Sequence, residues 1–151
     1  MTDDLRKLIA AGLELLGYEP DDRAERLVRY LDEIRLWNPR LKLVAASDRE
    51  LVVRHLLDSL AGAAALFASD AAVTLGSSSV SGAPRSRVPG SAVHDARGIC
   101  IADAGSGAGL PGIPIAVMYP HISVDLVERS GRRAGFLRNA VAAVRATNAR
   151  V

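Results

Sequence analysis

The segment Ile101-Ala102-Asp103-Ala104-Gly105-Ser106-Gly107-Ala108-Gly109-Leu110-Pro111-Gly112 narrows the choice of fold more than any other part of this chain. It reads as a buried strand ending in an acid, then a glycine-rich turn, then a helix start. Glycines at 105, 107 and 109 permit positive φ and remove the Cβ atoms that would block a ligand from the main chain. A second strand-like run, Ile122-Ser123-Val124-Asp125-Leu126-Val127, ends in Glu128. An acid at the tip of the next strand is where a ribose would present its hydroxyls. The competing reading is a tight structural turn with two solvated strand-end acids, and the matched downstream acid weighs against it.

The loop is not a dinucleotide fingerprint. G-x-G-x-x-G would need a third glycine at 110, where Leu110 stands, and Asp103 lies two residues before the first glycine. D-x-G-x-G at a strand end, with an acid ending the next strand, is more similar to an S-adenosylmethionine site. The run from Gly105 to Pro114 resembles the G-S/T-G-x-G-L-P-G-I/V-P signature of the small-subunit ribosomal RNA methyltransferase G family, also called the glucose-inhibited division protein B family. Trp37-Asn38-Pro39-Arg40-Leu41-Lys42-Leu43-Val44 resembles that family's W-N-x-x-x-N-L-T segment, with Lys42 and Val44 in place of Asn and Thr. Arg54-His55-Leu56-Leu57-Asp58-Ser59-Leu60 resembles its K/R-H-x-L-D-S-L segment, and Ser130-Gly131-Arg132-Arg133 with Phe136-Leu137 its S-x-K/R-K/R-x-x-F-L run. The resemblance covers roughly residues 25–68 and 98–151.

Helical and strand periodicities organise the rest. Residues 3–16 read as a helix with Thr2 or Asp3 as cap and Gly17 as stop. Residues 21–37 read as a second, with Ala24, Leu27, Val28, Leu31, Ile34 and Trp37 as one apolar stripe, ended by Asn38-Pro39. Ser47-Asp48-Arg49-Glu50 has capping-box spacing before a third helix near 48–68. From 98 onward the order is strand (98–104), helix (109–118), strand (122–128), and a helix from Ser130 to about Thr147. Asn148–Val151 reads as the turn into a third strand. Such βαβα alternation predicts an α/β fold with a parallel, doubly wound sheet. The expected organisation is a helical N-terminal extension (1–68), a Gly/Ser/Pro-rich flexible insertion (69–97) and a partial methyltransferase domain (98–151).

Composition excludes several classes. The 151 residues are 49% hydrophobic, yet no apolar run is long enough to span a membrane and the acidic amino terminus is no secretory signal. The single cysteine, Cys100, sits in the apolar run Ile99-Cys100-Ile101 and reads as a small buried hydrophobe; a lone thiol suits a reducing cytoplasm. Nothing gathers His55, His94 and His121 into a metal-ligand set. Net charge is only +2, but no acid follows Glu128, while arginines stand at 129, 132, 133, 138, 145 and 150. That asymmetry is a footprint for a nucleic-acid partner, the alternative being one solvated helix face. No aromatic alternates with these arginines in the sequence, so a base-stacking platform is not indicated.

The resemblance implies a class I, Rossmann-like S-adenosylmethionine-dependent enzyme that methylates a guanine N7 in 16S ribosomal RNA, as naked RNA or in the small subunit. Asp103, Gly105, Gly107, Leu110 and Glu128 would bind the cofactor. His55 and Asp58, three apart on one helix face, and Arg132 and Arg133 are candidates for the cleft or the RNA; a local cap or ion pair with Arg54 is the alternative for the first two. N7 carries no proton, so placing it in line with the methyl group needs no general base, and no catalytic residue is nominated. The rivals are a class I methyltransferase for another substrate and a non-enzymatic RNA-binding fragment. A class I sheet has about seven strands, so a chain supplying two and the start of a third reads as truncated at its C-terminus.

Overall fold

The computed structural model describes residues 2–19, 21–74 and 99–151, with side chains described as far as residue 67 in the middle segment. Helix α1 (Asp3–Leu15) is followed by α2 (Asp22–Leu41). A single α-turn, α3 (Asp48–Glu50), continues as a π-helical segment, Leu51–Leu57, into α4 (Asp58–Thr74). Then come β1 (Cys100–Ala104), α5 (Gly112–Met118), β2 (Ser123–Val127), α6 (Gly131–Ala143) and β3 (Ala149–Arg150). The sheet has the order β1-β2-β3 with both pairings parallel.

Local chemistry accounts for most boundaries. Gly17 (φ 81°) stops α1, with the Tyr18 N–H donating back to the Leu13 carbonyl at 3.0 Å, whereas Thr2 makes no side-chain cap. The capping box before α3 is present: Ser47 N–H donates to Glu50 Oε2 at 3.0 Å and Glu50 N–H to Ser47 Oγ at 3.4 Å. Other ends depart from expectation. Helix α2 does not stop at Asn38-Pro39 but runs to Leu41. A proline this close to the end deprives only the Arg35 carbonyl of a partner, and Arg35 is exposed to water. The stop is Lys42, in the left-handed region at φ 48°, while the Asn38 amide clamps the chain beyond it through both polar groups of Val44, at 2.8 and 3.0 Å. Helix α6 ends at Ala143, short of Thr147, because Arg145 turns to φ 52°. Residues 149 and 150 form a strand rather than the approach to one. The helix through α4 reaches Thr74, into the stretch read as a loop; the rest of that insertion, with His94, lies outside the described residues.

One hydrophobic core joins the helical region to the sheet. It includes Ile9 and Leu13 of α1, Leu27, Leu31 and Ile34 of α2, Leu56 and Leu60, Ile113 and Val117 of α5, Val124 and Leu126 of β2, and Phe136 and Leu137 of α6. Burying each such side chain contributes on the order of 1.5–3 kcal/mol. Polar ties cross the same boundary: Arg26 of α2 donates to the Val144 and Arg145 carbonyls beyond α6, at 2.8 and 3.3 Å, and Arg23 to the Met118 carbonyl at the end of α5, at 3.2 Å. Cations at helix C-termini satisfy free carbonyls and oppose the dipole. The opposite face of the sheet has no described cover. Strand alternation puts Cys100, Ala102, Ala104 and Val127 there, all exposed, so Cys100 is not the buried hydrophobe expected. Its Sγ faces Asp125 Oδ2 at 4.0 Å, and Asp125 is ion-paired with Arg150.

Lys42 is exposed and strained by its left-handed backbone, a conformation that glycine and asparagine accept readily. Lys42→Gly is expected to raise unfolding free energy by about 0.5–1 kcal/mol, the relief of strain less the extra backbone entropy of glycine. A rise in the urea midpoint at unchanged m-value checks it.

Candidate cofactor-binding site

The glycine loop between β1 and α5 is held by bonds from three directions. Gly105 and Ser106 N–H groups both donate to the Val127 carbonyl, at 2.8 and 3.1 Å, which ties the loop to the end of β2. Asp103 lies beneath it: its Oδ2 accepts the Gly112 N–H at 3.1 Å at the start of α5, and its carbonyl accepts the Ser106 hydroxyl at 2.7 Å. Partial burial pushes the Asp103 pKa up, opposed by hydrogen bonds from the Gly112 backbone and Ser106. From the third side Tyr30 of α2, fully buried, donates its hydroxyl to the Ala108 carbonyl at 2.7 Å. Burial raises the Tyr30 pKa well above its ordinary value, with Asp103 adding to the effect, so the phenol stays a donor.

The glycines divide into two kinds. Gly105 (φ 79°) would place a Cβ in open space, and Gly107 (φ 54°) would meet only the Gly105 carbonyl oxygen at 3.6 Å. These two leave the main chain bare toward solvent, as a site for a nucleotide-like ligand requires. Gly109 (φ 87°) faces inward: a Cβ there would lie 2.6 Å from Ile113 Cδ1 and 3.1 Å from Leu137 Cδ2. Gly112 is equally tight, 2.3 Å from Leu126 Cδ2. Gly109 therefore serves loop packing, not the ligand approach expected of it.

Glu128 sits at the tip of β2 with both oxygens engaged. Oε2 accepts the Gly107 N–H at 3.0 Å and Oε1 the Ser130 N–H at 2.8 Å, the latter in place of the side-chain cap that Ser130 itself does not make. The Ser130 bond chiefly lowers its pKa, helped by Gly107, Arg133 and Arg129. Each carboxylate oxygen has a further lone pair, so a ribose hydroxyl can be accepted without losing the loop.

A cleft of about 560 Å³ opens beside the loop, with Leu110, Pro111, Ile115 and Ile101 on one wall and Arg54, His55, Asp58 and Ser59 of the π-helical segment and α4 on the other. The structure thus brings His55 and Asp58 to the same cleft as Leu110. Of the local alternative, the ion pair with Arg54 does not form: Arg54 reaches Glu50 at 3.8 Å. A π-helical turn at such a place is common at functional sites. Arg132 and Arg133 lie in the first turn of α6, away from this cleft, with Arg132 exposed. Tyr30 escaped the sequence reading, although it falls beside Leu27, Leu31 and Ile34 on the same helical stripe. Among the described residues no group of His, Cys, Asp and Glu is placed to hold a metal, and no helix is long and apolar enough to cross a membrane.

A helical region followed by a parallel β1-α5-β2-α6-β3 unit, with a glycine loop after β1 and an acid at the tip of β2, is the corresponding part of a class I, Rossmann-like methyltransferase fold. Residues 86–151 match the family model described as rRNA small subunit methyltransferase G, GidB. Over 149 residues the chain is 36% identical to the ribosomal RNA small subunit methyltransferase G of Xanthomonas campestris pv. campestris (strain B100), covering 98% of this chain and 56% of that protein. It is 37% identical to the protein of that name from Cupriavidus pinatubonensis over 153 residues, 99% of this chain and 57% of the relative. For the Chloroflexus aggregans protein of that name the figures are 36% over 124 residues, 82% and 40%. The motif resemblance is therefore borne out, and similarity to the first two relatives extends over nearly the whole chain, which spans about half their length.

Two outcomes follow for the loop. Tyr30→Phe leaves the buried Ala108 carbonyl without its donor and is expected to cost about 1–2 kcal/mol, read by urea unfolding, with faster amide exchange at Gly107 and Gly109. Because the folded-state pKa of Glu128 is lowered, its contribution is full above the usual carboxylate range and lost as pH falls through the lowered value. Protection factors of the loop amides, with the intrinsic pH dependence of exchange divided out, should fall in that acid window in the parent and stay constant there in Glu128→Gln.

Proposed function

We propose that this chain carries the cofactor site of an S-adenosylmethionine-dependent enzyme that methylates a guanine N7 in 16S ribosomal RNA, in the cytoplasm. The observation that carries the reading is the bare backbone at Gly105, open to space, and at Gly107, whose Cβ would meet only the Gly105 carbonyl oxygen, both beside Glu128, which accepts the Gly107 N–H. The similarity to proteins named ribosomal RNA small subunit methyltransferase G supports the substrate class.

The residues fit the cofactor. Backbone groups at Gly105 and Gly107 would approach its methionine end, Glu128 would accept from its ribose hydroxyls, Asp103 keeps the loop in place, and Leu110 would wall the pocket. When bound, the cofactor supplies an electrophilic methyl group on a sulfonium. The protein's task is then to position the base, exclude water and leave N7 its lone pair, so orientation is the main source of rate. His55 and Asp58 are the polar groups of the adjoining cleft available to hold a base.

Isothermal calorimetry with S-adenosylmethionine tests the site. Gly105→Val should abolish binding, and Glu128→Ala should weaken it by about 1.5–3 kcal/mol, as for a hydrogen bond to a charged group; thermal melts confirm that both variants fold. Unchanged affinity in both removes the site assignment. Methyl groups that the protein transfers to small-subunit RNA should render that RNA strand cleavable by borohydride and aniline, the signature of N7-methylguanine. Transfer to free metabolites or protein but not to RNA would overturn the substrate.

A further inference from the structure

We infer that the groove between the C-terminal end of α2 and the exposed face of α6 is a docking site for single-stranded RNA, outside the cofactor loop and its cleft. The inference rests on the reading of RNA as substrate and adds where the strand is gripped. The groove measures about 570 Å³, and its walls include Trp37, Arg40, Arg132, Phe136, Arg138 and Asn139. Arg40, Arg132, Arg138 and Asn139 are exposed. Trp37 packs edge-on against the buried Phe136 ring, centroids 6.5 Å apart, and its indole N–H is fixed on Glu33 Oε2 at 3.1 Å.

Three features select this occupant. First, the three guanidiniums converge from two helices, and no carboxylate among the described residues lies within ion-pairing distance of any of them. Among the described residues no acid lines the groove, and Glu33, which touches its wall, accepts the Trp37 indole N–H. Second, the first turn of α6 holds Arg132 and Arg133 and no acid; Glu128, at the N-cap Ser130, stands beside Arg133, and Arg132 on the exposed side opposes the helix dipole, a position that an incoming phosphate relieves. Third, the fold adds to the arginines the aromatic that their own segment does not present to solvent. Phe136 is fully buried, but Trp37 arrives from α2, a hundred residues earlier in sequence, and lies partly open at the groove. Guanidiniums for phosphates beside an aromatic for a base make a platform for an unpaired strand, where bases are free to stack. Gly131, which lines the groove, lies three residues after Glu128 in sequence.

Trp37 is the chain's only tryptophan, so its emission reports directly on the groove. The test titrates the protein with a 20-nucleotide single-stranded RNA and reads anisotropy across a salt series alongside Trp37 emission. Binding should quench Trp37. In the triple variant Arg40→Ala, Arg132→Ala, Arg138→Ala the slope of log affinity against log salt should fall by about 2, three single-strand phosphate contacts at roughly 0.7 each. Trp37→Leu should weaken binding about tenfold, with Trp37→Phe restoring most of it. Circular dichroism melts establish that each variant is folded. RNA binding with unquenched Trp37 and an unchanged salt slope overturns the groove while leaving RNA as substrate. No RNA binding by the parent overturns both. A Trp37 emission change that follows protein concentration without RNA assigns the groove to a second copy and overturns the proposal.

Discussion

The loop at 105–109 must expose its backbone on one side and still leave no buried polar group unpaired. That requirement governs much of the surrounding structure. An unpaired buried amide or carbonyl costs about as much as several good contacts return. Here the Val127 carbonyl takes two N–H groups, Glu128 takes a third, and Tyr30 serves the Ala108 carbonyl. Asp103 fixes the step into α5. The partners come from β2, from the turn after it, and from a helix about eighty residues earlier in sequence. The helical region is therefore not an appendage to the sheet but the third wall of the loop.

Helix α2 does most of this joining. Tyr30 supports the loop, Arg23 and Arg26 close the C-terminal ends of α5 and α6, and Asn38 locks the exit of its own helix. On the same face as Tyr30, the Leu27–Ile34 stripe enters the common core. The pairing of Tyr18 with Tyr119, hydroxyl oxygens 2.6 Å apart, adds a tie from the α1–α2 connection to the end of α5. Burial raises the Tyr18 pKa, with the Tyr119 hydrogen bond adding to it, so this contact keeps its proton well past neutrality. Rigidity at the loop thus depends on contacts made far from it, and changes in α2 should reach the site without touching a ligand.

Charge is divided along similar lines. Acids near the loop are tied into backbone bonds and serve geometry, whereas the arginines of α6 and the end of α2 face solvent. The two sheet faces differ as well: one is sealed by α5 and α6, and the other shows Ala102, Ala104 and Val127. Strand alternation sends neighbours in register to the same face, and the packing of α5 and α6 decides which of the two faces is covered. Together they explain why an apolar sequence context around Cys100 did not make it a buried residue.

Much of this was legible in the sequence because it is local. Alternating βα periodicity, the capping box at Ser47, the stop at Gly17, and the glycine loop followed by Glu128 follow from residue types at short spacing, and the motifs pointed to the methyltransferase family. What needed the tertiary structure were the facts that depend on partners distant in the chain. These are the packing of Gly109 against Leu137 as well as its neighbour Ile113; the link from Tyr30 to Ala108; which sheet face, and so Cys100, is left exposed; and the meeting of Trp37 with the arginines of α6. In each case a residue's neighbours are set by the packing of elements widely separated in sequence. Periodicity reports which face of an element is apolar, but not which other face it meets.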